Sequence, residues 1–261
     1  MRFHAAWGGL AALGVFAIGC SSYDGSTAGP DLADVRSSFK VVQGSGDIAP
    51  VVARFRALLG DPLNGGQAGQ QAAGRREINW DGVPAAVTNV NTFPALFFQG
   101  RGASYGGPGT GFRVSDNDFA DLNKAYATQF APFSGAKTLM PTGSPEMELR
   151  FTVAGSTTPA AVTGFGVVFS DVDRQGSASI KMFDAAGRSL GQYHAPIRSD
   201  AAGLSFIGVA FDSAIVARVV ITAGQAAIDA GLEDLTDGGT RDLVVTDDFL
   251  YGEPQALPTG S

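Results

Sequence analysis

Carboxylates are the residues of this chain best placed to do chemistry. Glu77 and Asp81 flank Trp80, Asp171 and Asp173 close an apolar run, and Asp247 and Asp248 interrupt another. Neighbouring residues in a strand point to opposite faces, so a covered strand at Val245 to Tyr251 would turn one of Asp247 and Asp248 inward. A carboxylate buried there is costly without an arginine, backbone donors or a metal beside it. Calcium meets that need by gathering carboxylate and carbonyl oxygens. Arg75, Arg76 or Arg241 would meet it too, as ordinary ion pairs, and Asp81-Gly82 would then simply make a turn. Asp171 and Asp173 form a second candidate site at a strand end, where loop acids are usually solvated.

Aromatic faces are the other recognition chemistry, since sugars stack on them. Tyr105 lies in the glycine-rich stretch from Arg101 to Gly111 and is expected to be exposed. Trp80 is a second candidate, with a core seat between two sheets as its other reading. The glycine-rich stretch is no phosphate cradle, because it lacks the Lys-Ser/Thr ending and the strand-helix setting. His194 is the only histidine after residue 4. It has no Gly-x-Ser-x-Gly elbow, and zinc or cysteine-histidine chemistry lacks its ligands. Glycoside hydrolysis needs only two well-spaced carboxylates, but the alternation around Glu146 and Glu148 makes both face solvent.

Cys20, the only cysteine, ends an uncharged apolar run that follows Arg2. A short positive segment, an apolar stretch too short for a comfortable span and a small residue before the cut describe an export signal. Ala17-Ile18-Gly19-Cys20 resembles a bacterial lipobox, with Ala in place of the usual Leu, so Cys20 is a lipidation candidate. The expected location is the bacterial outer membrane or cell surface, or else the periplasm or medium. Membrane contact is expected only through that lipid.

The chain carries 18 basic and 25 acidic side chains, a formal net charge of −7, and so repels phosphate and excludes nucleic acid as a partner. Its 36 glycines imply many turns. The expected order is a signal at 1–19, a flexible tether at 20–38, one domain at 39–254 and a disordered tail at 255–261.

Short strands dominate that domain. Glu146 to Val153 alternates, with Met147, Leu149, Phe151 and Val153 on one face and Glu146, Glu148, Arg150 and Thr152 on the other. Similar runs follow at 164–170, 178–183, 190–194, 204–211, 216–222 and 243–251, with Asp184-Ala-Ala-Gly187 as a hairpin turn. An amphipathic helix is expected between Asp47 and Gly60, and a second short one within Asp116 to Phe130. The fold class is therefore all-β, a two-sheet antiparallel sandwich of jelly-roll type with one or two short N-terminal helices.

Five stretches carry a resemblance: Phe55 to Gly60, Gly74 to Pro84, Thr163 to Asp173, Leu204 to Phe211 and Val245 to Pro254. With them the chain resembles a group of uncharacterised exported bacterial proteins. Its C-terminal half is also similar to the β-sandwich ectodomains that often carry a PEP-CTERM sorting tail. The chain ends at Ser261 without such a tail, so attachment is expected at the N-terminus. Jelly-roll carbohydrate-binding modules often hold a structural calcium between an early loop and the last strand. That analogy pairs Glu77 and Asp81 with Asp247 or Asp248 as ligands.

The expected function is non-catalytic binding of an extracellular glycan or envelope component through Tyr105, Trp80, Asp171 and Asp173, with calcium in a structural role. A structural or adhesive surface protein without a sugar site is the alternative, and a carboxylate-dependent glycoside hydrolase a third.

Overall fold

A computed structural model describes residues 38–258. The expected signal, Cys20 and the tether up to residue 37 lie outside the described residues. The chain runs through β1 Phe39–Ser45, α1 Ala49–Leu59, β2 Arg75–Ile78, β3 Ala103–Gly106, β4 Gly111–Ser115, α2 Tyr126–Gln129 and β5 Thr138–Thr142. It continues through β6 Glu146–Phe151, β7 Ala160–Ala161, β8 Gly164–Ser170, β9 Ala178–Phe183, β10 Ser189–His194, β11 Leu204–Phe211, β12 Arg218–Ala223, β13 Val245–Gly252 and β14 Gln255–Ala256.

Two antiparallel sheets result. The seven-stranded sheet has the order β1-β11-β8-β13-β5-β4, with β2 joined to β13, and the five-stranded sheet has the order β10-β9-β12-β6-β3. From β5 onward the partners are nested: β5 with β13, β6 with β12, β8 with β11, and β9 with β10. Successive nested pairs fall in alternate sheets, which is the wrapping of a jelly roll. The fold class read from the sequence is the one observed.

The sheets differ in what covers them. Their inner faces share one core, with Met147, Leu149, Ile180 and Ile221 against Phe165, Val167, Ile207 and Phe249. On the outer face of the seven-stranded sheet, α1 lays Val52, Phe55 and Leu59 on Val168, Phe206 and Leu250. Covered on both sides, β8 and β13 are buried at every residue. The five-stranded sheet keeps an open outer face, so β6 and β12 alternate between buried and accessible residues.

Phe55 fits closely because Gly166 and Gly208 are paired directly across β8 and β11. A Cβ on Gly166 would stand 2.6 Å from its ring, and one on Gly208 2.8 Å. Burying a phenylalanine side chain is worth about 1.5–3 kcal/mol. That burial fixes α1 on the sheet.

Four expectations need correction. The helix begins at Ala49 rather than beside Asp47, whose Oδ1 accepts the Ala49 N–H at 3.3 Å, while Gly60 does end it. The second helix is the single turn α2, because Phe119 and Phe130 are held by turns that pack them around Tyr126. The stretch from Arg101 to Gly111 is not all loop: β3 occupies Ala103–Gly106 in one sheet and β4 starts at Gly111 in the other. Beyond Pro254 the chain is not all tail, since β14 pairs with β7.

Candidate metal centre

Asp171, Asp173 and Asp234 each place a carboxylate oxygen within 4.8 Å of the others. Among the described residues no other group of three or more acids, histidines or cysteines converges in this way. Asp171 follows β8 directly and sits at φ +69°, a left-handed conformation that aspartate tolerates better than most residues. Its N–H donates to the Gly203 carbonyl at 2.8 Å, and Val172 packs into the core. The turn and the buried Val172 between them bring Asp173 to the same place.

Asp234 and Asp242 come from the segment between β12 and β13. Asp234 Oδ2 accepts the Thr236 N–H and hydroxyl, both at 2.8 Å, and its Oδ1 accepts the Leu243 N–H at 2.7 Å. Asp242 Oδ2 accepts the N–H groups of Asp173 at 3.0 Å and Arg174 at 2.7 Å, and the Ser177 hydroxyl. Gln129, the last residue of α2, donates Nε2 to Asp171 Oδ2 and to Thr236 Oγ1. Three separate segments thus meet at the cluster.

Donors run out before acceptors do. Asp171 Oδ1, both oxygens of Asp173 and Asp242 Oδ1 are buried without a hydrogen-bond partner. Asp171, Asp234 and Asp242 are each 0 % exposed. Burial, followed by the neighbouring aspartates, pushes the Asp171 carboxyl up to about 8 despite the Gln129 bond. Burial and the adjacent Asp234 and Asp242 carboxylates push Asp173 up to about 7, and burial raises Asp242 as well. Unpaired buried carboxylates either take protons or take a cation. The cluster could hold a metal ion, and its all-oxygen donor set suits a hard cation rather than zinc.

Glu77, Asp81, Asp247 and Asp248 do not converge in this way. Arg56 donates Nε and Nη2 to Glu77 at 2.8–3.2 Å, and Arg75 Nε reaches it at 2.7 Å. Burial alone would raise the Glu77 carboxyl, but the two arginines hold it below its ordinary range. Asp81 Oδ1 accepts the Ala136 N–H at 2.8 Å. The ladder between β13 and β8 shifts register between Thr246 and Phe249, and both Asp247 and Asp248 are buried rather than one. Asp247 Oδ2 accepts the N–H groups of Phe133 at 2.5 Å and Ser134 at 3.0 Å. Asp248 accepts the Ser134 hydroxyl at 2.6 Å and lies 3.6 Å from Arg56 Nη2. Arginines and backbone donors thus serve these acids, apart from the unpartnered Asp247 Oδ1.

Tyr105 is not the exposed aromatic expected. It lies opposite Leu149 in the β3–β6 pair and points into the core, 7 % exposed, with its ring centroid 5.8 Å from those of Trp80 and Phe112. Trp80 is fully buried, edge-on to Phe249 at 5.1 Å and Phe98 at 5.5 Å. Neither ring offers a free face for stacking. Asp234 and Asp242 escaped the sequence reading because nothing in the linear order ties Glu233-Asp-Leu-Thr-Asp-Gly-Gly-Thr-Arg-Asp242 to the end of β8.

No protein-family model and no curated protein matches the chain. Among solved structures, the enzymatically active domain of tailspike protein 4 of bacteriophage CBA120 matches 66% of the chain at 14% identity with a TM-score of 0.29. The chain spans 22% of that structure's length, and a likeness so distant decides neither fold nor function.

Proposed function

We propose that this chain is an exported, non-catalytic binding protein whose jelly roll is braced by calcium at Asp171, Asp173 and Asp234, with Asp242 completing the shell. The observation that carries the reading is the set of buried carboxylate oxygens that protein donors leave unfilled. Calcium suits an irregular site built from three segments, whereas magnesium demands near-octahedral geometry and keeps its water. With its amide turned, Gln129 would add a neutral oxygen. Three of the four carboxylates are sealed from solvent, which favours a bracing ion over one that meets a substrate.

Export is supported by Arg2, the apolar run after it and Cys20, whose acylation would tether the protein. No helix among the described residues is long and apolar enough to cross a membrane. The glycan ligand is supported by the open, polar outer face of the five-stranded sheet. One observation favours a protein-docking role instead: Phe39, Val41 and Ile197 are exposed, and Val41 and Ile197 line a cavity of about 520 Å³.

Titration calorimetry with calcium, followed by a panel of polysaccharides, tests the reading. It predicts calcium binding that Asp234→Asn abolishes and binding of at least one polysaccharide. Absence of calcium binding removes the brace, and failure of every polysaccharide moves the docking role to first place.

A further inference from the structure

The outer face of the five-stranded sheet carries a row of side chains that an acidic protein has little reason to build for stability. Arg218 lies directly opposite Arg150 across the β12–β6 pair and opposite Phe183 across the β12–β9 pair. Arg150 in turn lies opposite Ser104 of β3. The row Ser104, Arg150, Arg218, Phe183 therefore crosses four strands. Like charges facing each other on neighbouring strands are destabilising.

One carboxylate compensates the two guanidiniums. Glu148 accepts from Arg150 Nε at 2.6 Å and from Arg218 Nη1 at 2.9 Å. Lys181, two residues before Phe183 on the same face, lies 5.4 Å from the Phe183 ring and has no acidic partner within 4.0 Å among the described residues. The patch keeps an excess of positive charge in a chain of net charge −7. The Arg218 guanidinium stacks on the Phe183 ring, 3.7 Å from its centroid, and this contact and the Nη1 bond to Glu148 hold it in place. A cavity of about 310 Å³ lies along Ser104, Arg150 and Arg218, walled by Leu257 and the β9–β10 turn, whose Asp184 carboxylate is paired with Arg188 at 2.7 Å.

We propose that this groove binds the carboxylate groups of an acidic, uronate-containing polysaccharide. Planar guanidiniums pair with carboxylates through two parallel hydrogen bonds, and Arg150, 63% exposed, can offer both Nη groups while Glu148 holds its Nε. The groove crosses β6 and β12, whose edges are both already paired, so a peptide cannot add to it as a strand. A glycan needs no such edge, because hydroxyls and carboxylates meet side chains alone. The assignment rests on the binding role proposed above and names its ligand class and surface.

Titration of the protein with polygalacturonate, neutral dextran and poly-glutamate tests it, alongside the Arg150→Gln/Arg218→Gln double variant. Polygalacturonate is expected to bind, with affinity that falls as salt rises and drops at least tenfold in the double variant, while dextran and poly-glutamate bind no better than to the variant. An unchanged melting temperature in the variant excludes misfolding, and a lowered one calls for Arg150→Lys, which keeps the charge, removes the fork and is expected to lose most of the affinity. Polygalacturonate binding that survives the double variant overturns the groove but leaves the binding role standing. Equal binding of poly-glutamate overturns the glycan assignment. If no polysaccharide of a wider panel binds either protein, the binding role and the groove fail together.

Discussion

Asp171 and Asp234, held on separate segments, bring carboxylate oxygens within 4.8 Å of each other while both side chains are fully buried. Repulsion between them would push apart the end of β8 and the segment before β13. Protons or a cation must hold those segments together, and the two alternatives respond oppositely to pH.

Without a cation, stability should fall as pH rises. Asp171 at about 8 and Asp173 at about 7 titrate well above an ordinary carboxylate, so the folded state holds protons that the unfolded chain releases. Between about pH 4 and those values the folded state binds more protons, and the slope of stability against pH is negative. Melting temperature measured in chelator should therefore fall from pH 5 to pH 8.5, and excess calcium should flatten most of the fall. A rise across that range in chelator would contradict the protonated cluster.

Asp247 should supply the part of that slope that calcium leaves. Burial and the adjacent Asp248 push its carboxyl up to about 8, against the N–H bonds from Ser134 and Phe133. Asp247→Asn stays neutral at every pH and can still accept the Phe133 and Ser134 N–H groups. With calcium present, the variant's melting temperature should be nearly level where the parent's still declines. Parallel curves for the two proteins would count against a protonated Asp247.

Arg76 and Glu253 form a buried ion pair, with Nε 2.8 Å from Oε2 and Nη2 2.7 Å from Oε1. Arg76→Met leaves the Glu253 charge unmatched and should cost about 3–5 kcal/mol in urea unfolding. Adding Glu253→Leu should recover much of that loss. A loss below about 1 kcal/mol in the single variant would show that the pair is solvated.

Gly208→Ala should loosen α1 from the sheet. The new methyl would meet the Phe55 ring at 2.8 Å, and overpacking of this kind costs about 1–3 kcal/mol. Adding Phe55→Leu should restore part of the stability, which a double-mutant cycle measures. Strict additivity would mean that ring and glycine do not touch.

Tyr105→Phe should change stability by less than about 1 kcal/mol, because the hydroxyl it removes is buried and unpartnered. Tyr105→Ala should cost about 3–5 kcal/mol by opening a cavity beside Trp80. Polysaccharide affinity should be the same in the parent and Tyr105→Phe. A weakened affinity there would return Tyr105 to the ligand surface.

The sequence made the main strands from β6 to β13 far more legible than those before them. Glu146 to Phe151 alternates because only one face of β6 is covered, and the Asp184 to Gly187 turn marks the next hairpin. β3 and β4 hide among glycines, and their partners lie far along the chain. Asp171 and Asp173 stood out at the end of an apolar run. Asp234 and Asp242 did not, since only the wrapping of β12 and β13 past β8 brings them there. For Asp247 and Asp248, simple alternation predicted one inward side chain, but at the register shift both meet Ser134 on a strand covered on both sides, and both are buried.

Thermal unfolding in excess calcium and in chelator, on the parent and on Asp234→Asn and Asp248→Asn, tests the brace most directly. At a hundredfold excess over the dissociation constant, calcium should add about 3 kcal/mol and raise the parent's melting temperature by roughly 6–10 °C. Asp234→Asn should lose that rise, and Asp248→Asn should keep it. Superimposed curves for the parent, or a rise that only Asp248→Asn abolishes, would contradict a calcium ion at Asp171, Asp173 and Asp234.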